Sequence, residues 1–263
     1  MNNKLLSTAL ALSLGTMFFT GCHHENANTP SKHETKPHSS KHWSYKGDTS
    51  PSHWGDLNEK YHMCKIGNQQ SPIDITKTVD GGLKSLDIKY TTEAKNIINN
   101  GHTVQVNIKD GSTLTLDGTA YSLKQFHFHT PSENNIMGHS FKLEAHFVHA
   151  DEKGNLAVIG VMFKDGENNS ALQGIWDKLP KDEGIEKEIS FKSYQIKQLL
   201  PSDKSYYHFM GSLTTPPCSE NVKWYVMKNP LEISKEQVDL FFNLYGHSNN
   251  RPLQALNNRE VKH

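Results

Sequence analysis

Short segments that either alternate with period two or run in apolar, β-branched residues recur along most of this sequence: SLDIKY, TVQVNI, STLTLDG, YSLKQFHFHT, FKLEAHFVHA, LAVIGVMFK and VKWYVMKN. A period of two belongs to strands with two distinct faces, and the Gly, Asn and Asp between the segments are turn residues. Helical patterning is scarce. One helix is expected over ALQGIWDKL, ended by Pro180. Another is expected after Ser234, where Gln237 completes a capping box, running to about Tyr245 before Gly246. The expected fold class is mainly β, with a few peripheral helices.

A chain of 263 residues is long enough for one large domain or two small ones. From Trp43 onward no internal repeat and no second linker interrupts the globular composition, so a single domain over 43–263 is the economical reading. Lys plus Arg, 28, equals Asp plus Glu, 28. That balance removes the basic footprint of a nucleic-acid binder and any strong attraction to an anionic membrane surface.

The start of the chain reads differently. Lys4 precedes an apolar run from Leu5 to Phe19, too short to span a bilayer comfortably, and small residues lead into Cys22. Residues 1–21 are expected to be a signal peptide, with Cys22 placed like the lipidated cysteine of a bacterial lipoprotein. Phe19 fits poorly where such signals carry Leu, so cleavage without lipid stays open. Either outcome exports the protein to the periplasm or cell surface, with membrane attachment through Cys22 in the lipidated case. Residues 22–42 are polar and His-rich and are expected to be a disordered tether. Its His23, His24, His33, His38 and His42 read as a polar spacer or as loose metal binders. With Cys22 lipidated or removed, Cys64 and Cys218 remain. In an oxidising compartment they are a disulfide or two free thiols. Closing so long a loop stabilises a fold by roughly 4–5 kcal/mol on the entropic account.

The chemistry concentrates in QFHFHTPSE, Gln125 to Glu133. On a strand, residues i and i+2 share a face, so Gln125, His127 and His129 point one way and Phe126 and Phe128 the other. In FKLEAHFVHA the same rule puts Glu144, His146 and Val148 on one face and Ala145, Phe147 and His149 on the other. Two imidazoles from one strand and one from a neighbour make three corners of a tetrahedron, the donor set of a catalytic zinc that keeps its fourth position open. Gln125 and Glu144, each two residues before a histidine on its own face, are suitable oxygen partners for the other ring N–H groups. A lone His-x-His is weak evidence, and packed strand histidines are the bland alternative. His149, on the wrong face, is expected to be structural.

These motifs, with QSPIDI at Gln70, NNGHTVQV at Asn99, LEAHFVH at Leu143, LAVIGV at Leu156, GSLTTPPC at Gly211, VKWYV at Val222 and RPLQALNNR at Arg251, occur together and in order. The sequence thereby resembles an α-class carbonic anhydrase of the bacterial exported type, over Trp43 to about Arg259. The resemblance implies a large, twisted, mostly antiparallel central sheet around a zinc cleft. It implies zinc-dependent reversible hydration of carbon dioxide to bicarbonate and a proton by metal-activated hydroxide. The implied zinc ligands are His127, His129 and His146, the implied gate is Thr214 with Glu133, and the implied proton shuttle is His102. An apolar wall for carbon dioxide would be Val148, Val158, Leu213, Val222 and Trp224, and Thr215 would help hold bicarbonate. Exported members pair two cysteines that match Cys64 and Cys218, and members of this type often form homodimers. Two positions depart from the family: Ala255 stands where Pro is common, and Asn134 stands where His is usual after Glu133, which could weaken a hydrogen bond behind that carboxylate. Two rival readings are an inactive carbonic-anhydrase-like binding module and a zinc-binding surface lipoprotein that uses the tether.

Overall fold

The computed structural model of the protein describes residues 42–263. The signal peptide, Cys22 and nearly all of the expected tether lie outside the described residues. Thirteen strands follow one another: β1 (Asp74–Ile75), β2 (Asp87–Lys89), β3 (Ala94–Asn99), β4 (Val104–Ile108), β5 (Thr113–Leu116), β6 (Thr119–His129), β7 (Asn135–Ile136), β8 (Leu143–Ala150), β9 (Leu156–Asp165), β10 (Glu186–Lys187), β11 (Tyr206–Ser212), β12 (Glu220–Met227) and β13 (Leu231–Ile233). Five helices accompany them: α1 (Trp54–Leu57), α2 (Met63–Ile66), α3 (Ser170–Trp176), α4 (Ser193–Gln198) and α5 (Lys235–Tyr245). Among the described residues no helix is long and apolar enough to cross a membrane.

Eleven of the strands form one sheet in the order β10-β3-β4-β6-β8-β9-β12-β11, with β5 pairing β6, β2 pairing β5 and β13 pairing β9. Its ladders are antiparallel except where β9 pairs with β12 and with β13. Strands β1 and β7 make a separate parallel pair. The mainly β, mostly antiparallel expectation is met.

Alternation along the strands divides the interior in two. Phe126, Phe128, Ala145, Phe147, Ile159 and Val161 are fully buried on one face, beneath Leu172, Ile175 and Trp176 of α3, Ile196 of α4 and Phe241 of α5. Truncating any of these phenylalanines to Ala would cost about 3–5 kcal/mol. The opposite face carries a smaller cluster of Ile73, Ile75, Val158, Met162, Phe209, Val222, Trp224 and Val226. The large core fixes the sheet, which leaves the second face free to carry polar chemistry.

Helix α5 begins as the sequence indicates. The Ser234 hydroxyl accepts from the Gln237 amide and the Gln237 side chain accepts from the Ser234 amide, while Gly246 closes the helix at φ 65°. Helix α3 is shorter than expected. It starts at Ser170, capped by Asn169, and ends at Trp176. Lys178 and Leu179 instead donate to Ile175 and Trp176 in tight i→i+3 turns. The residue before a proline is disfavoured in the α region, so Pro180 acts before the chain reaches it.

Candidate active site

Strands β6 and β8 place the histidines. Their antiparallel register sets His127 opposite His146, His129 opposite Glu144 and Gln125 opposite Val148. All six side chains therefore share one face, as the period-two reading requires. One ring nitrogen from each of His127, His129 and His146 lies within 4.8 Å of the other two.

Hydrogen bonds orient two of the rings from behind, and the third lies against a carboxylate. His127 Nδ1 donates to Gln125 Oε1 at 2.8 Å. His129 Nδ1 donates to the Asn249 carbonyl at 2.7 Å. His146 Nε2 lies 3.0 Å from Glu144 Oε1, although its N–H is not aligned on that oxygen and the atom counts as unpaired. These partners leave Nε2 of His127, Nε2 of His129 and Nδ1 of His146 facing inward. His129 Nε2 is fully buried with no hydrogen-bond partner, and an orphaned buried nitrogen costs free energy unless something binds it. Burial lowers the pKa of all three rings, His129 to about 4. They are neutral near pH 7, the form that binds a metal. Their distances to Glu133 Oε2, 3.5 Å from His129 and 3.8 Å from His146, are accordingly not ion pairs.

Glu144 is held by three donors: the Glu133 amide at 2.8 Å, the Asn134 amide at 2.9 Å and Asn134 Nδ2 at 2.9 Å. Asn134 Oδ1 also accepts from the Ile73 amide at 3.0 Å. The residue that departs from the family pattern thus supports the partner of His146 and makes no side-chain bond to Glu133. Glu133 Oε1 accepts from the Arg251 amide at 2.8 Å. Its Oε2 is buried without a hydrogen bond of good geometry. Burial pushes this carboxyl well above the usual range, opposed first by the Thr214 hydroxyl beside it and then by the Arg251 amide.

Thr214 sits in the loop between β11 and β12, which is closed by Leu213 N to Ser219 O at 2.9 Å and Cys218 N to Thr215 O at 2.8 Å. Cys218 is disulfide-bonded to Cys64. The apolar candidates assemble by register: Val148 lies opposite Val158 and Val158 opposite Trp224. Val158, Val222 and Trp224 are buried, and Val148 and Leu213 pack against them. Trp224 meets His146 edge-on at 4.9 Å and donates from Nε1 to the Ser212 carbonyl.

His102 lies in the turn before β4. Its ring stacks on Trp43 at 3.6 Å and on His42 at 5.0 Å. Burial first, then the neighbouring His42 and His247, lower its pKa to about 4. His149 is where strand phase puts it, on the opposite face, between the Tyr90 hydroxyl at 2.8 Å and the Ala157 carbonyl at 3.2 Å.

Asn249 and Arg251 escaped the residue-by-residue reading as supports of the site, and Asn134, singled out behind Glu133, bonds to Glu144 instead. Asn249 orients His129 through its carbonyl, accepts from the Thr130 amide, and donates to the carbonyls of Phe128 and His102. It belongs to no periodic segment, and no spacing rule connects it to a histidine far away in the chain. A cavity of about 820 Å³ between α3 and α5 contains none of the candidate residues.

A family model described as eukaryotic-type carbonic anhydrase matches residues 49–263. The chain belongs to the carbonic anhydrase family. A carbonic anhydrase of Klebsiella pneumoniae is 46% identical over 222 residues, covering 84% of this chain and 90% of that protein. One of Neisseria gonorrhoeae is 45% identical over 221 residues, covering 84% and 87%. Among solved structures, the complex of α-carbonic anhydrase from Thermovibrio ammonificans with the inhibitor sulfanilamide superposes with a TM-score of 0.82 at 45% identity. It covers 84% of this chain and 99% of that one. The protein is therefore an enzyme of the carbonic anhydrase family, whose general reaction is the hydration of carbon dioxide, and its three-histidine cluster is a candidate metal site.

Proposed function

We propose that this carbonic anhydrase hydrates carbon dioxide reversibly with a zinc ion held by His127, His129 and His146. The observation that carries the reading is the convergence of three neutral ring nitrogens, two of them on rings oriented from behind by hydrogen bonds and one of them buried and unpaired. Zinc fits this all-imidazole set, and when bound it supplies the Lewis acidity that brings the ionisation of water down to about pH 7.

The chain's own groups do the rest. Thr214 has one proton to donate and lone pairs to accept with. With Glu133 ionised and taking that proton, Thr214 Oγ1 accepts from the attacking nucleophile and aims it. A ligand that brings no proton leaves Thr214 unsatisfied and is disfavoured. Carbon dioxide offers no strong hydrogen-bonding handle, so Val148, Val158, Leu213, Val222 and Trp224 hold it by apolar contact, and Thr215 helps retain bicarbonate. Gln125 and Glu144 fix the rings. His102 carries the released proton to buffer, which requires its ring to leave the stack on Trp43, because a group at about 4 is a weak acceptor.

The same reading extends to the rest of the chain: 1–21 a signal peptide, 22–42 a tether with Cys22 open to lipidation, 43–263 the catalytic domain, an exported location, and homodimer formation. The test is carbon dioxide hydration by protein beginning at Trp43, with zinc content measured in parallel. Activity that follows zinc and is lost to a chelator is expected. Hydration at the uncatalysed rate in zinc-loaded protein refutes the reading.

A further inference from the structure

The motif QSPIDI helps identify the family but takes no part in the reaction described above. Its first residue, Gln70, is 3% exposed, and its amide uses both ends. Oε1 accepts from Arg251 Nη1 at 2.9 Å, while Nε2 donates to the Cys218 carbonyl at 3.0 Å and to Glu220 Oε1 at 3.0 Å.

Those partners belong to the two halves of the gate. Arg251 presents its backbone amide to Glu133 and anchors its guanidinium on the carbonyls of Ser71 and Cys64. Cys218 closes the loop that carries Thr214. Ser71 grips the same loop at its other end through reciprocal bonds with Ser212, at 2.8 and 3.1 Å. One buried amide therefore ties the arm that holds Glu133 to the loop that holds Thr214.

The seat of this amide is shaped for it. Gly67 has φ −61° and ψ 142°, which any residue adopts. A Cβ there would nevertheless meet Gln70 Nε2 at 2.2 Å and Glu220 Oε1 at 2.6 Å. Glycine is required at this position for room and not for its conformational freedom. A small displacement at a reacting centre is enough to lose about a hundredfold in rate, so a clamp of this kind bears on catalysis as well as on stability.

We infer that Gln70 is a positioning residue: its side-chain amide, seated against Gly67, holds the Thr214 loop in register with the Glu133 arm. The inference rests on the Thr214–Glu133 gate of the proposed function.

Two substitutions disturb the clamp by different routes. Gln70→Glu keeps size and the Arg251 contact but turns a donor into an acceptor beside the Cys218 carbonyl and Glu220. Gly67→Ala removes no polar group but displaces the amide from its seat. Each is compared with the unmodified protein and with Thr214→Ala for zinc content, kcat/KM for carbon dioxide, and the ratio of inhibition constants for thiocyanate, which brings no proton, and hydrogensulfide, which does. A loss of fold stability alone would not move that ratio. The expected result is full zinc content, a kcat/KM lowered by about tenfold or more, and a ratio shifted towards that of Thr214→Ala in both clamp variants. If Gln70→Glu does not fold, Gly67→Ala decides by the same readouts. A ratio that moves in Thr214→Ala but stays fixed in the folded clamp variants overturns the role of Gln70 alone. A ratio unmoved in Thr214→Ala overturns the gate, and this inference with it.

Discussion

His102 and Trp43 make a quantitative expectation about proton release. Water activated by zinc ionises near pH 7. If that proton left directly to bulk water, recapture at about 10⁹–10¹⁰ M⁻¹s⁻¹ would cap turnover near 10²–10³ s⁻¹, far below the roughly 10⁶ s⁻¹ of fast enzymes with this chemistry. A nearby imidazole relieves the limit if its pKa is close to 7. Stacked on Trp43, His102 sits at about 4. Transfer from about 7 to about 4 is uphill by roughly three units, or a thousandfold, before water at the half-exposed ring screens part of it. The stacked ring is therefore a poor acceptor, and for His102 to act as the proposed shuttle it would have to leave the stack and regain a value near 6.5.

The perturbation is a pair of substitutions assayed at pH 7 in dilute buffer. His102→Ala is expected to lower kcat at least about tenfold, with kcat/KM and zinc content unchanged and added imidazole restoring much of the loss. Trp43→Ala removes the stacking partner, and kcat is expected to rise severalfold while the His102 ring, followed by NMR, titrates closer to 6.5. In the double variant the gain should vanish, since it acts through His102. A gain from Trp43→Ala that persists without His102 would refute this reasoning, as would a kcat indifferent to His102 at low buffer.

Three further outcomes follow from the geometry. His146→Ala is expected to lose activity and most of its zinc, while His149→Ala retains zinc by elemental analysis; equal loss in both would contradict the face assignment. Replacing Cys64 and Cys218 by Ser should lower the denaturation free energy by about 4–5 kcal/mol, read from guanidinium titrations, and mass spectrometry of non-reduced peptides should recover the Cys64–Cys218 pair in the parent. Burial holds His149 at about 4 against an ordinary value of 6.5. The folded state thus binds fewer protons than the unfolded one between those values, so its stabilising share is complete above pH 6.5 and is lost as pH falls towards 4. His149→Gln should flatten the stability–pH curve in that window by about 3 kcal/mol, and curves of equal slope would exclude His149 as a source of the acid sensitivity.

Strands such as β4 and β5 were legible because they are half buried and must alternate, and β9, buried on both faces, because its apolar, β-branched run reads as a strand. β2, β4, β5 and β8 lie within the segments read as strands and β6, β9 and β12 overlap them; phase gave one face to Gln125, His127 and His129 and one face to Glu144, His146 and Val148, and the β6–β8 register joins the two. Strands β3 and β11 were less visible. AKNIIN places Ile97 and Ile98 side by side and is bulged against β4, and YYHFMGS runs aromatic residues together without alternation. The two-residue strands β1, β7 and β10 carry no periodicity to detect. Within the site, the ligand set is a local pattern and the supports are not. Gln125 and Glu144 were found because they lie two residues from the histidines they face. Asn249, Arg251 and Gln70 reach the site only through tertiary contacts.

On the proposed reading, the charge on Glu133 would depend on the occupancy of the histidine cluster. Burial favours the neutral acid, as does the nearby Glu144 carboxylate, while the Thr214 hydroxyl, the Arg251 amide and, least, the Arg251 charge reduce that preference without overcoming it. Near Oε2 lie His129 and His146, both neutral through burial. The proposed gate needs Glu133 ionised, because only a carboxylate takes the Thr214 proton and forces the hydroxyl to accept. A divalent cation among the three rings supplies the favourable charge at close range in a low-dielectric setting, where it acts strongly. Metal binding and ionisation of Glu133 are thus linked: each favours the other by the same free energy. On the proposed reading, a metal held by the cluster would both activate water and set the gate that orients it, and filling the cluster would give the unpaired His129 nitrogen its partner.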